Sequence, residues 1–122
     1  MLHTLLLLSL AALPAQTFDT DTTVAVPRGS RLRINNTGGD ITVRAWNRNE
    51  MRVQADHSAR GGVDVDVRGQ VVDVRARGRM GMPSMADLQL TVPAWMGIDI
   101  GGLYAEISIE GVEGPVKAQT IE

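Results

Sequence analysis

Asn36-Thr37-Gly38-Gly39-Asp40-Ile41-Thr42-Val43 combines a glycine turn with the start of an alternating strand. Gly38-Gly39-Asp40 has the composition of a tight turn, because glycine accepts backbone angles that other residues resist. The residues after the turn alternate: Ile41 and Val43 point to one side, Thr42 and Arg44 to the other, as in a half-buried strand. An apolar pair, Leu32 and Ile34, precedes the turn with the same period. The pattern recurs in degenerate form as Gly101-Gly102-Leu103-Tyr104-Ala105-Glu106-Ile107-Ser108-Ile109, preceded by Ile98 and Ile100. Ile34 to Ile41 and Ile100 to Ile107 are the same seven-residue step. One strand–turn–strand unit has been used at least twice.

On either side of this unit, alternation predicts strands over Thr22–Val26, Arg31–Asn35, Asp40–Arg44, Glu50–Asp56, Asp87–Val92 and from Val116 to Ile121. Pro27-Arg28-Gly29-Ser30, Trp46 to Asn49 and Pro93 to Gly97 read as turns. Val63, Val65 and Val67 alternate with Asp64, Asp66 and Arg68, and Val72, Val74 and Ala76 answer them, which makes a hairpin. A loop from Arg68 to Val71 sets Asp64 opposite Arg75. A shorter loop sets Asp64 against Asp73, and like charges facing each other are unfavourable by roughly 0.2–1 kcal/mol. Arg77 to Met85 carries no period and reads as a loop. From residue 16 onward the sequence has no sustained apolar pattern at helical spacing, so helix is not expected.

The spacing from Ile98 to Val116 is 18 residues, which suits a β-solenoid whose rungs bury their faces against one another. The first half looks more antiparallel. The expected fold is therefore all-β: solenoid-like stacked rungs with an antiparallel N-terminal part, the alternative being a β-sandwich of hairpins.

Composition limits the function. The 122 residues suffice for one domain, and 12 basic against 14 acidic residues give a formal net charge of −2. Nucleic acid, which calls for a concentrated basic surface, is not an expected partner. There is no cysteine, so disulfides, thiolate nucleophiles and lipid attachment through an N-terminal cysteine are excluded. Residues 1–15 read as a secretory signal: an apolar run from Leu5 to Leu13, too short for the roughly 20 residues of a bilayer span, then Leu13-Pro14-Ala15 before Gln16. Residues 16–122 form the β-strand-repeat domain, with no later transmembrane segment. The expected location is outside the cytoplasm: periplasmic, cell-surface or secreted.

Leu32 to Val43, Leu90-Thr91-Val92-Pro93-Ala94, and Ile107-Ser108-Ile109-Glu110-Gly111-Val112-Glu113-Gly114-Pro115-Val116-Lys117-Ala118 together resemble the bacterial putative-adhesin family, the β-strand-repeat proteins that include the LiaG-like envelope proteins. The resemblance covers nearly all of 17–122. Tyr104-Ala105-Glu106 departs from the family's Asn-Gly-Asp turn. Family members usually run on through further rungs, so a domain truncated at its C terminus is expected, with a last strand open to edge-to-edge self-association. The resemblance implies an exported, non-enzymatic module that contacts an envelope protein or glycan, adhesin-like or accessory to envelope-stress signalling. It carries over no catalytic residue and no cofactor.

Candidate chemistry is sparse. His57, in Asp56-His57-Ser58, has triad letters, but neighbours on a strand diverge. A calcium loop starting at Asp19 fails where Val24 and Ser30 stand in place of Gly and Glu. Asp64 and Asp66 share a face that suits solvent, and no metal site is expected. Glu106, Glu110 and Glu113 with Asp99 raise the alternative of a carbohydrate-active enzyme using paired carboxylates. A third alternative is a structural fragment of a longer repeat protein. The ligand-contact candidates are the ring side chains near turns, Trp46, Trp95 and Tyr104; buried, the same rings would cap the core ends. Asn35-Asn36-Thr37 fits a glycosylation acceptor, and a tight turn explains the same residues.

Overall fold

The computed structural model describes residues 17–36, 38–78, 85–103 and 106–121. Every regular element among them is a strand: β1 (Thr20–Ala25), β2 (Arg31–Asn36), β3 (Ile41–Trp46), β4 (Glu50–Asp56), β5 (Gly62–Arg68), β6 (Val71–Arg77), β7 (Asp87–Pro93), β8 (Gly97–Leu103), β9 (Ile107–Glu110) and β10 (Val116–Ile121). They form two open, five-stranded mixed sheets. Sheet A runs β1-β4-β7-β3-β9 and sheet B runs β10-β8-β2-β6-β5. No helix among the described residues is long and apolar enough to cross a membrane.

Alternation does the sorting. Leu32 and Ile34 of β2, Val72 and Val74 of β6, and Ile98 of β8 are fully buried, as are Val43, Met51, Val53, Ala55 and Val92 of sheet A. All belong to one hydrophobic cluster, so the inner faces of both sheets share a core. Arg31, Arg33 and Arg75 on the alternate positions are exposed.

The two copies of the unit lie side by side in register. Leu32 pairs with Ile98 and Ile34 with Ile100 in sheet B; Ile41 pairs with Ile107 and Val43 with Ile109 in sheet A. All four strand pairings that join β3 to β7 and β9, and β2 to β6 and β8, are parallel. A third copy, β6 with β7, flanks the first on its other side, Val74 beside Ile34 and Leu88 beside Ile41. The 18-residue spacing also has its counterpart, because Val116 sits beside Ile98 in another parallel pair.

The fold differs from a chain-order solenoid, which the sheets do not show. β2 lies between β8 and β6, so the first unit is inserted between two later ones. The parallel part also reaches further toward the N terminus than expected, taking in β2 and β3. Among the described residues, antiparallel pairing is confined to β1–β4, β4–β7 and β5–β6. The hairpin has the expected register, Asp64 opposite Arg75, with Arg68 and Val71 already paired so that only Gly69 and Gln70 turn. The ion pairs run otherwise: Asp64 meets Arg77 at 3.1 Å, and Asp66 approaches Arg68 at 3.7 Å while facing Asp73 across the strands. β1 begins two residues earlier than alternation predicts, since pairing with β4 draws in Thr20 and Asp21.

The organising turn is held from both sides. Asp40 N–H donates to Asp87 Oδ1 at 3.0 Å, Leu88 N–H to the Asp40 carbonyl at 2.8 Å, and Ile41 N–H to the Glu106 carbonyl at 2.7 Å. Asn36, 4% exposed, faces inward beneath it. Its Nδ2 donates to the Ala86 carbonyl at 2.7 Å and its Oδ1 accepts from Ala86 N–H at 3.3 Å. Asn36→Ala leaves that carbonyl stranded in a buried place, and the expected loss is about 1–3 kcal/mol of stability by urea denaturation; a cost near zero would mean that water or a shifted backbone takes over the bond.

Candidate functional site

The outer face of sheet B is built from positions alternate to the core. Across the five strands one row reads Asp66, Asp73, Arg33, Asp99, Lys117, and the next Asp64, Arg75, Asn35, Gly101, Gln119. Opposite charges meet at most steps of the first row, with Asp66 beside Asp73 the exception. Arg31 approaches Asp99 at 3.3 Å. Gly101 has no side chain to fill its place, so a shallow groove opens there, walled by Arg33, Asn35, Asp99, Lys117 and Gln119 and floored by the backbone of β2 and β8. A Cβ on Gly101 would come closest to the Asn35 side chain, at 3.4 Å. The groove offers two cations, one carboxylate already engaged by Arg31, and two amides, a set suited to hydrogen-bonding a polar ligand. Sequence reasoning misses it. The alternation of Arg33, Asn35, Asp99 and Gly101 is visible in the chain, but which strands lie adjacent is not.

Trp46 and Trp95 come to the same end of the molecule. Both are half-buried and hold the turn between β3 and β4: Trp46 Nε1 donates to the Glu50 carbonyl at 2.7 Å, and Trp95 Nε1 to Asn49 Oδ1 at 3.0 Å. The Arg48 guanidinium lies 5.2 Å from the Trp46 ring centroid, a cation–π contact. Trp95 packs against the core cluster. The indole N–H groups are thus spent within the protein. Tyr104, the third ring, lies outside the described residues.

The acidic candidates are not brought together. Asp99 is on the outer face of sheet B, whereas Glu110 alternates with the core-packed Ile107 and Ile109 on the outer side of sheet A. Glu106 and Glu113 are exposed beside their strands. His57 has a local role: its backbone N–H donates to Asp19 Oδ2 at 3.0 Å, Nδ1 lies 2.8 Å from the Ser58 carbonyl, and Nε2 lies 2.7 Å from Thr20 Oγ1. It ties the start of β1 to the end of β4. No group of three or more His, Asp or Glu is arranged to hold a metal ion among the described residues.

Arg52 forks onto Asp21, Nε to Oδ1 at 3.0 Å and Nη2 to Oδ2 at 2.8 Å. The hydrogen bond from Arg52 holds the Asp21 carboxyl below the ordinary aspartate value. A lowered carboxyl stabilises the fold above its unfolded-state pKa, and the effect disappears as pH falls through the lowered value. The difference in thermal midpoint between the wild type and Asp21→Asn should therefore be small at neutral pH, because the pair is exposed, and should vanish in acid. A difference that grew on acidification would refute this assignment.

No family model matches the chain. No curated protein matches it. Among solved structures the fold is similar to a crystal structure described as a "putative cell adhesion protein" from Clostridium sporogenes, at 8% identity and a TM-score of 0.48. The match covers 83% of this chain and 56% of that one, so the chain spans little more than half the length of that protein.

Proposed function

We propose that this chain is an exported, non-enzymatic β-repeat module, its two sheets packed sandwich-fashion, that acts by surface contact in the cell envelope, adhesin-like or as an accessory to envelope-stress signalling. The observation that carries the reading is the outer face of sheet B, where in-register stacking lays charged and amide side chains in rows around the groove at Gly101. A flat polar face on a rigid scaffold presents many weak contacts at fixed spacing, which suits a repetitive glycan or an extended protein segment. The signal-like residues 1–15 and the resemblance to envelope repeat proteins favour the same location.

Two measurements test it. Fractionation of cells expressing the full chain should place it outside the cytoplasm with Gln16 as its first residue; a cytoplasmic chain that keeps Met1 would refute export. Purified protein should co-sediment with isolated cell envelopes, and Gly101→Gln, which fills the groove, should weaken this about tenfold with the thermal midpoint unchanged, the loss of about 1.4 kcal/mol of contact energy. Equal binding by the variant would remove the groove from the contact surface.

A further inference from the structure

Among the described residues, sheet B ends on β5 at one side and β10 at the other. Across it runs an inward-facing row, Val67, Val72, Leu32, Ile98, Val116. The three middle members are fully buried, while Val67 and Val116 at the two ends are each 43% exposed. The row beside it, on the outer face, begins with Asp66 and ends with Lys117. The two edges are thus alike in their uncovered valine and opposite in charge.

We propose that a second copy of this chain docks head to tail, the β10 edge of one molecule against the β5 edge of the next. β10 runs parallel to β8, β2 and β6, and β5 runs antiparallel to β6, so a copy advanced along the sheet meets β10 in antiparallel fashion. A single register then satisfies both rows. Val116 faces Val67 of the next copy, Lys117 faces Asp66, Ala118 faces Val65, and Gln119 faces Asp64. Across these four pairs the apolar residues land on the core side and the polar ones outside, which a one-residue slip would reverse. Lys117 also brings a second cation to Asp66, which is set against Asp73 and holds Arg68 only at 3.7 Å. Pairing β10 with β10 about a two-fold axis covers Val116 but leaves Val67 in water. The head-to-tail contact is heterologous and therefore repeats, giving a ring or a filament.

The test is sedimentation velocity on the chain purified from cells expressing all 122 residues, as a function of concentration. The wild type should form a ladder of species that grows with concentration. Val67→Lys and Val116→Lys each spoil one edge and should be monomeric alone, with thermal midpoints close to wild type because both positions are at exposed edges. Mixed in equal amounts they should form a dimer and nothing larger, since each retains the edge that the other has lost. Lys117→Asp should weaken assembly severalfold, and adding Asp66→Lys to it should restore assembly. Dimers of Val67→Lys alone would show the two-fold β10 pairing instead and overturn the proposal. So would a mixture that stays monomeric, or a wild type that is monomeric at all concentrations.

Discussion

Gly39→Ala is expected to destabilise the fold by about 2–5 kcal/mol, from roughly 1–2 for an L-residue held in the left-handed region and 1–3 for overpacking. Gly39 has φ of +94°, and a Cβ there would lie 2.4 Å from the Ala86 carbonyl oxygen and 2.9 Å from its carbon. Neither neighbour can retreat cheaply. Ala86 is bonded through both backbone groups to Asn36, and Asp40 and Leu88 bind the same turn to the start of β7. Gly69 is the control, since its φ is also positive, +58°, but nothing lies within 4 Å of its Cβ direction. Gly69→Ala should cost only the conformational part, roughly 1–2 kcal/mol. Urea midpoints followed by far-UV circular dichroism separate the two, and equal costs would mean that the turn yields to the methyl group freely. In a domain with about 5–15 kcal/mol of total stability, the upper end of the Gly39 effect removes most of a marginal fold.

The repeat that makes this turn central is legible because side-chain period and register are the same information. Leu32, Ile34, Ile41 and Val43 occupy the steps of Ile98, Ile100, Ile107 and Ile109, and the structure places the two sets in adjacent strands. The third copy is hidden because Val74 to Leu88 is 14 residues rather than seven. A longer connection breaks the numerical match without disturbing the sheets. Strand order is not legible at all. Alternation says which face a residue takes, but is silent on which strand it takes it beside, and the insertion of β2 between β8 and β6 leaves no mark on either sequence.

Asn36 reads as part of a turn in the sequence because its neighbours are turn residues. Its inward place emerges only on continuing the Leu32, Ile34 alternation one step further, and its partner, Ala86, is fifty residues away in the chain. The groove at Gly101 is illegible for the related reason that a missing side chain matters only once Asn35 and Gln119 are known to flank it. Trp46 and Trp95 are legible as rings beside turns. That they converge on Asn49 and Glu50 depends on how the two sheets come together.

The register of the copies makes a quantitative demand on the core. Ile41 and Ile107 are the same step of the same unit and lie side by side in sheet A, yet Ile41 is 1% exposed and enclosed by β7 and β9, while Ile107 is half-buried on the outermost strand. Ile41→Ala should cost roughly 2–5 kcal/mol, the lost transfer energy plus an enclosed cavity. Ile107→Ala removes less buried area, and the space it leaves is open to solvent, so its cost should fall to about 1–2 kcal/mol. The ratio discriminates more sharply than either value. Were the second copy's edge covered in solution by another chain at the working concentration, Ile107→Ala would approach the cost of Ile41→Ala, and the gap would widen again on dilution. Denaturation of both variants at two concentrations a hundredfold apart therefore measures the intrinsic exposure of the β9 edge. A gap that is absent at both concentrations would mean that Ile107 is enclosed within the single chain and that the core does not thin toward this edge.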